Sequence, residues 1–412
     1  MMDEKLFETA LGIAEPWHVV SVDLDAAAKT LTVGIDFTPG SRFAVAGESG
    51  AHPVHDTVSK RYRHLNFFQH ECYLQVRVPR VKLPSGAVRQ VEPDWAGKLS
   101  GFTLLFEALV LMLAREMPFA AVARLTGESW HRVAAICQRY VDLALAQADF
   151  SGVTHLAIDE TSRARGHDYV TLAADAAPER RAVLFVTEGR DAGTIKRLAD
   201  DLVAHGADID AIESVSIDMS PAFVKGCNTH LPEARITFDK FHVIAHASKA
   251  LDETRRLEQK TTPDLKGLRW TLLRDYGQLS GTARAEIDSL LAKLTTKRTA
   301  RAWMYREQLR EILDRKQINV VSEMLWQWCT NVMRSKVEPM KEVARMIRNH
   351  FEGIVAWAQT RQTNGFLEAL NGLFQSAKRR ARGYGRFSTI RTVIFLLAGK
   401  LDFSKLNPHV AH

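Results

Sequence analysis

The sequence predicts an α+β protein of several domains, because the period of its hydrophobic pattern changes along the chain. Residues 17–37 alternate apolar and polar side chains, as a β-hairpin does. Residues 154–239 alternate short apolar runs with amphipathic stretches, which is typical of a mixed α/β sheet. Residues 241–357 have a helical period almost throughout. We therefore predict a small β module, a mixed α/β core and a long helical region.

Length, charge and cysteine content set broad limits. The 412 residues suffice for two to four domains, and 46% hydrophobic with 25% charged residues is ordinary for a globular protein. A net charge of +7 suits a polyanionic partner without establishing one. The four cysteines form no CxxC pair, which indicates neither a disulfide framework nor a cysteine zinc site. With no signal-peptide pattern and no long apolar window, we expect neither export nor membrane insertion.

The β module is predicted over residues 1–97. Its hairpin has apolar positions at Val20 and Val22 on one strand and at Val33 and Ile35 on the other. Residues 72–78 and 80–82 are predicted as a second strand pair, because Pro79 between them lacks the N–H that a strand ladder uses.

Residues 98–150 follow with a helix-turn-helix pattern. Pro118 can begin a short helix and Gly127 can end it. Ser129 can then cap a second helix. His131 and Arg132 lie at the start of that second helix, where helix-turn-helix proteins contact base edges, so we predict that both bind DNA.

The core begins with residues 151–250. A meander of three strands, then helix, strand, helix and strand, indicates a mixed sheet rather than a doubly wound one. In that order the first and fourth strands can lie side by side. The predicted strands are 154–159, 169–174, 182–186, 215–218 and 235–239, with helices at about 192–205 and 222–230.

Three carboxylates are the main candidates for chemistry. Asp159 and Asp218 each close an apolar run, and the sheet topology can bring them together. Glu368 lies on a predicted helix, with Asn364 and Asn371 on the same face. Three such acids can hold two divalent ions about 4 Å apart, which serves phosphodiester chemistry. Taken singly, each has a plainer interpretation as a strand-end turn, a helix cap or a solvated helix face.

Two further residues follow the last strand of the core. Asp239 ends that strand and His242 comes three residues later. Near a scissile phosphate His242 could orient water or contact the substrate, whereas by itself it is more simply a structural histidine. We give both a supporting role. Glu160 directly follows Asp159, so strand alternation predicts that it faces away and makes it a weaker candidate.

A basic run follows the helix of Glu368. Such a run is usually a solvated face, but one that follows a candidate metal ligand is well placed to bind phosphates. Its five cations, with no acid among them, are Lys378, Arg379, Arg380, Arg382 and Arg386.

Together these residues resemble the DDE transposases of bacterial insertion sequences, and most closely the ISL-three family. The resemblance covers nearly the whole chain, and its ordered set of motifs is specific where each single motif is not. It includes His55-Asp56, Tyr62-Arg-His-Leu, the helix-turn-helix, Ile158-Asp-Glu, Ser216-Ile-Asp-Met-Ser, Phe238-Asp-Lys-Phe-His, and the helix of Asn364, Glu368 and Asn371 with its basic tail.

The resemblance implies that Asp159, Asp218 and Glu368 are the catalytic and metal-binding triad of a ribonuclease-H-like core. Residues 251–355 are then an all-helical insertion, and residues 356–412 complete the core. The implied cofactors are two Mg²⁺ or Mn²⁺ ions, since three neighbouring acids repel one another unless cations neutralise them. The implied partners are double-stranded DNA, as terminal inverted repeats and as target, and further copies of the chain, with no membrane.

The chain departs from the family near its amino terminus, where members usually carry a cysteine zinc ribbon. Ala46, Ser49 and Leu83 stand at the matching positions, so cysteine cannot supply four zinc ligands there and we expect no zinc. The module is then a degenerate ribbon that binds DNA ends. Residues that could offer substitute ligands are His52, His55, His64, His70 and Cys72.

The function implied is that of a DNA transposase that binds the terminal inverted repeats of its element, cuts there and transfers strands to target DNA, at the nucleoid in the bacterial cytoplasm. An alternative is a DNA-binding regulator or domesticated relative without activity, but retention of all three acids argues against it. Another metal-dependent nuclease, such as a junction resolvase, fits the two amino-terminal DNA-binding modules and the insertion less well.

Overall fold

In a computed structural model the chain divides into two compact units. Unit 1 comprises Met1–Ala148 and Leu373–His412, and unit 2 comprises Asp149–Gly372. The structure describes residues 2–164, 168–292, 298–360 and 365–410. Within those ranges, no helix combines the length and apolar character needed to cross a membrane.

Unit 1 begins with helix α1 (Met2–Leu11) and a mixed sheet. The predicted hairpin is confirmed: its two strands pair antiparallel, with Val22 opposite Val33. The sheet order is β1-β2-β5-β4-β3, with β6 paired to β5. Its strands are β1 (Trp17–Asp25), β2 (Thr30–Phe37), β3 (Arg42–Ala44), β4 (Ala51–Phe67), β5 (His70–Lys82) and β6 (Val88–Gln90).

The predicted break at Pro79 is wrong, because β5 runs through it unbroken and pairs with β4. The Pro79 carbonyl accepts a hydrogen bond from Val91 N at 3.0 Å, so the backbone nitrogen and carbonyl of Pro79 face away from β4. On that side the pairing with β2 ends at Val76 and the pairing with β6 begins at Arg80. The missing N–H of Pro79 therefore costs no ladder hydrogen bond.

The predicted helix-turn-helix is confirmed in unit 1. Pro118 precedes its first helix and Gly127 ends it with a φ of 72°, a conformation that favours glycine. Ser129 caps the second helix, since its Oγ accepts a hydrogen bond from Arg132 N at 3.3 Å. The helices of this region are α2 (Leu104–Glu116), α3 (Phe119–Thr126) and α4 (Trp130–Leu145).

Unit 2 is built on a five-stranded sheet of order β11-β10-β7-β8-β9. The predicted adjacency of the first and fourth strands is confirmed, because β7 and β10 pair in parallel. Strands β7, β8 and β9 form the expected antiparallel meander. The elements are β7 (His155–Ala164), β8 (Asp168–Asp175), β9 (Val183–Glu188), α5 (Ala192–Ala204), β10 (Ser214–Ile217), α6 (Pro221–His230) and β11 (Arg235–Phe238).

Strand β7 is longer than predicted, so Asp159 lies inside a strand and not at its end. The apolar run stops at Asp159, but the antiparallel partner β8 continues and pairs residues 156–164 of β7. The parallel partner β10 pairs only with residues 155–157. Asp159 therefore lies just beyond the β10 ladder while the β8 ladder continues past it.

The remainder of unit 2, where the structure describes it, is largely helical, as predicted for residues 241–357. Helix α7 packs against α10 and α12, and α13 packs against the edge strand β11. The helices are α7 (Lys240–Gln259), α8 (Arg269–Leu273), α9 (Gly281–Ala292), α10 (Arg298–Asp314), α11 (Ile318–Met333), α12 (Glu338–Asn349) and α13 (Phe351–Thr360).

Two helices close the chain. In α14 (Gly365–Arg380) the side chains of Leu367, Leu370 and Phe374 are buried, as their helical spacing predicts. Helix α15 (Phe387–Ala398) packs against α2 and α4 within unit 1.

Candidate active site

The sheet register of unit 2 aligns two candidate acids. The parallel ladder pairs Ser216 of β10 with Ala157 of β7. Two residues further along, the same register sets Asp218 opposite Asp159. Since neighbouring strands lie about 5 Å apart, the two carboxylates occupy adjacent positions at the carboxyl end of β10.

Asp239 extends this row by one strand. The ladder between β10 and β11 pairs Ile217 with Phe238, so Asp239 follows β11 as Asp218 follows β10. The Asp239 side chain is buried, and its Oδ1 accepts a hydrogen bond from Phe241 N at 2.9 Å. Asp239 thereby caps the amino terminus of α7 and fixes where that helix starts.

The charges of Asp159, Asp218 and Glu368 act on one another. Burial raises the pKa of the Asp159 carboxyl, while the N–H of Glu160, at 2.8 Å, and the charge of His242 lower it. The negative charges of Asp218 and Glu368 raise the Asp159 pKa further. A cation placed among these carboxylates would remove that repulsion, so the site is electrostatically suited to one.

Helix α14 brings two residues to this site. Its exposed Glu368 is within electrostatic range of Asp159, and its Asn371 donates a hydrogen bond from Nδ2 to Asp159 Oδ2 at 2.8 Å. The Oδ1 atom of Asn371 is buried and has no hydrogen-bond partner within the described part of the chain. Asn364, predicted on the same face, lies outside the described residues.

Helix α7 contributes two histidines, of which the sequence analysis identified only one. The Nε2 atom of His242 is buried without a hydrogen-bond partner among the residues that the structure describes. Burial is the main cause that lowers the pKa of His246, and its neighbours Lys249 and His242 lower it further, while Asp218 raises it. The spacing of four residues between two histidines on one predicted helix was the available signal.

Glu160 takes part in the electrostatics of the site more than strand alternation suggests. Burial raises the pKa of its carboxyl, and the charge of Asp218 is the next largest cause. Arg190 Nη1 lies 3.8 Å from Glu160 Oε2 and lowers that pKa, while its guanidinium lies over the ring of Tyr169 at 4.7 Å. Arg190 lies two residues beyond the end of β9 at Glu188, and no sequence pattern linked it to Glu160.

The donor chemistry of the site suits a hard divalent cation. Asp159, Asp218 and Glu368 offer carboxylate oxygens, and Asn371 offers the orphaned amide oxygen. As they lie here, no three His, Cys, Asp or Glu side chains within the described ranges converge closely enough to hold a metal ion. Coordination therefore requires the carboxylates to approach one another from their present positions.

The predicted DNA-binding residues of the helix-turn-helix lie in unit 1. His131 is exposed at the start of α4. The neighbouring Arg132 is already engaged: its Nη1 lies 2.8 Å from Glu128 Oε2, and its guanidinium lies over the ring of Phe102 at 4.0 Å. Contact of Arg132 with DNA would compete with these interactions, whereas His131 is accessible directly.

The basic run is also on the surface of unit 1. Arg379, Arg380, Arg382 and Arg386 are exposed, and Lys378 is partly buried. Arg380 donates from Nη2 to the carbonyl of Glu116 at 3.0 Å. The run therefore presents mostly exposed positive charge at the end of α14.

Comparison with known families gives two matches. A sequence model of ISL3-type DDE transposases, described as a transposase, matches residues 156–394. A model of the helix-turn-helix domain of transposase family ISL3 matches residues 91–141. The first match covers more than half of the chain and contains all the candidate acids, and the second contains the start of α4.

Curated relatives match over most of their length. The transposase for insertion sequence element IS1001 of Bordetella parapertussis is 26% identical over 398 residues, which cover 93% of this chain and 95% of the relative. The transposase for insertion sequence element IS1557 of Mycobacterium tuberculosis is 27% identical over 354 residues, which cover 79% of this chain and 78% of the relative. The similarity therefore extends across both units.

Proposed function

Because the chain belongs to the ISL3 family of transposases, we propose that it cuts the ends of its insertion sequence with Asp159, Asp218 and Glu368 as catalytic acids. The register of the parallel strands carries this proposal, since it aligns Asp218 with Asp159 within range of the Glu368 charge. The strand order, with β7 central, supports a ribonuclease-H-like core into which the helical residues 251–355 are inserted.

The proposed reaction has two steps at each element end. Water attacks the phosphorus, the bond to the 3′ oxygen breaks, and that oxygen takes up a proton, leaving a 3′-hydroxyl and a 5′-phosphate. The 3′-hydroxyl then loses its proton and attacks a phosphorus atom of the target DNA. The bond from that phosphorus to the target's own 3′ oxygen breaks, and this oxygen takes up a proton and leaves as a new 3′-hydroxyl. Both nucleophiles come from water or DNA, so no covalent link between protein and DNA is formed.

Asp159, Asp218 and Glu368 would hold two Mg²⁺ or Mn²⁺ ions, which when bound neutralise the charge that develops on the phosphate oxygens. The surrounding residues position these acids. Asn371 fixes the orientation of the Asp159 carboxylate through its hydrogen bond. Asp239 caps α7 and so fixes the position of His242 on that helix. From this position the buried Nε2 atom of His242 can orient the attacking water or contact the scissile phosphate.

Recognition of the inverted repeats is proposed for unit 1. His131 and Arg132 would contact base edges, and the basic run from Lys378 to Arg386 would bind phosphates without regard to sequence. Two ends must be joined in one event, so we propose that the protein acts as a homo-oligomer on chromosomal DNA at the nucleoid.

Purified protein tested on DNA that carries the element ends decides between this function and its rivals. With Mg²⁺ we expect cleavage at the ends and joined products with target DNA, and neither on DNA with scrambled ends. Binding without cleavage would identify a DNA-binding regulator instead. Cleavage without joined products would identify a nuclease of another kind.

A further inference from the structure

Helix α7 carries a row of polar and basic side chains that leads away from the candidate catalytic acids. The helix starts directly after Asp239, and its other face is packed into the protein through buried side chains such as those of Val243, Ala247 and Leu251. Six polar or charged side chains that are at least partly exposed recur every three or four residues, so they form one stripe along the helix. They are His242, His246, Lys249, Glu253, Arg256 and Lys260.

The far half of the stripe is supported by a buried carboxylate, that of Asp252. Its Oδ1 accepts a hydrogen bond from Arg255 Nη2 at 2.8 Å, and its Oδ2 lies 3.0 Å from Arg256 Nε and 3.5 Å from Arg269 Nε. One buried negative charge thus faces three guanidinium groups, which leaves an excess of positive charge. Arg255 is buried, but the side chains of Arg256 and Arg269 are 65% and 45% exposed.

These two arginines line an open pocket of about 490 Å³ together with Lys249 and Glu253. Within the described part of the chain, Lys249 forms no ion pair. Beside the pocket, Trp270 is 65% exposed, with the Arg269 guanidinium 4.8 Å from its ring centre. Positioned guanidiniums and an ammonium group outside any ion pair are the groups that bind the phosphates of a nucleic-acid backbone.

We propose that the α7 stripe is a phosphate-binding track, which holds the DNA as it extends from the catalytic acids. The inference rests on the proposed function, because DNA is the polyanion that the acids at the start of α7 would cut. At a rise of 1.5 Å per residue, Lys249 lies about 15 Å and Arg256 about 26 Å from Asp239 along the helix. At 3.4 Å per base pair, these residues meet phosphates about 4 and 8 base pairs from the cleavage site.

The test is the salt dependence of DNA binding by the full-length double variant Lys249→Ala/Arg256→Ala. Each lost phosphate contact lowers the slope of log affinity against log salt by about 0.9, so we expect a decrease of about 2. The DNA is an element end that extends 12 base pairs on both sides of the cleavage site. Two shorter duplexes are truncated 2 base pairs beyond the cleavage site, one on each side of it. On the duplex that lacks the DNA over α7, the salt slopes of the wild type and the variant should be equal.

The matched control is the double variant Lys196→Ala/Arg345→Ala, which removes one exposed lysine from α5 and one exposed arginine from α12. Its salt slope should equal that of the wild type. Melting temperatures of both variants should also equal that of the wild type, since the four side chains are on the surface and Asp252 keeps two of its arginines. An unchanged slope for Lys249→Ala/Arg256→Ala, or a decrease that persists on both shortened duplexes, would contradict the proposal that the α7 stripe binds DNA phosphates.

Binding is measured with EDTA present, so the result is independent of cleavage. If wild-type protein cuts element ends but the slope of the variant is unchanged, the track is refuted and the proposed function stands. If the slope falls as expected but no DNA is cut, the proposed function fails and α7 remains a DNA-binding surface.

Discussion

A charged side chain with little access to water occurs in both units, but in opposite surroundings. In unit 1, Arg63 is 2% exposed, and its two terminal nitrogens donate to the carbonyls of His64, Cys72 and Thr126 and to the Asn66 side chain. In unit 2, the partly buried Asp159 has the Glu160 N–H and Asn371 as hydrogen-bond donors, but it also faces the like charges of Asp218 and Glu368.

The two sites differ in whether the surrounding groups stabilise the buried charge or oppose it. The oxygens around Arg63 accept hydrogen bonds from both of its terminal nitrogens, while its buried Nε has no hydrogen-bond partner among the described residues. These hydrogen bonds stabilise the unit, because the oxygens would otherwise be buried without a donor. The carboxylates around Asp159 add to its charge, so the fold holds a repulsion that a bound cation or a proton relieves. Substitutions at the two positions should therefore have opposite effects on stability.

The largest effect on stability is expected for Arg63→Met. The substitution leaves three buried carbonyls without their donor, which should lower the free energy of unfolding by about 3 kcal/mol in chemical denaturation. Arg77→Ala is the control, because Arg77 is 51% exposed and pairs with Asp36 at the surface. That pair should contribute about 0.5 kcal/mol, and equal losses for both variants would contradict the structural role of Arg63.

A change at Asn371 should act on activity more than on stability. Asn371→Ala removes the donor that orients Asp159, so cleavage of element ends should fall about 10- to 100-fold while binding of the ends is retained. Without that hydrogen bond the pKa of Asp159 should rise further, which shifts the acidic limb of the pH–rate profile to higher pH. A pH profile that keeps its position despite a lower rate would assign Asn371 a packing role only.

Asp159→Asn should leave the fold at least as stable as the wild type at pH 7, within about 1 kcal/mol. The pKa of Asp159 is raised in the folded state, so its ionised form costs stability at neutral pH. As the pH falls through that raised pKa, the wild type gains a proton and recovers the difference. The advantage of the variant should therefore shrink on acidification, and an advantage that grows instead would contradict the repulsion.

The smallest effect is expected for Arg379→Ala/Arg380→Ala in the basic run. Two lost phosphate contacts should lower the slope of log affinity against log salt by about 2, with little change in specificity for the element ends. A slope equal to that of the wild type would show that the run is a solvated face, and that Arg380 serves mainly its hydrogen bond to Glu116.

The sequence predicted the parts of the fold that depend on local signals. Gly127 and Ser129 mark the turn of the helix-turn-helix because each satisfies a backbone requirement by itself. The order of strands and helices after residue 154 also allowed β7 and β10 to be neighbours, and their parallel pairing confirms it and places Asp218 beside Asp159.

What the sequence did not reveal depends on pairing between distant segments. β4 carries too few apolar residues to show alternation, and β5 makes it a strand through hydrogen bonds. Partner β8 likewise extends β7 beyond Asp159, where the apolar run stops. Arg190 joins the site only through its tertiary contact with Glu160, which no spacing in the sequence indicates, whereas the four-residue spacing from His242 was a signal for His246.

One experiment decides whether Asp159, Asp218 and Glu368 perform the cleavage. Cleavage of element ends with Mg²⁺ is compared for wild type, Asp159→Asn, Asp218→Asn, Glu368→Gln and the control Asp200→Asn, whose carboxylate is an exposed partner of Lys196. We expect each of the three variants to bind the ends as the wild type does and to lose cleavage by at least about a thousandfold, while the control retains it. Near wild-type cleavage by any of the three would remove that residue from the triad and contradict the account.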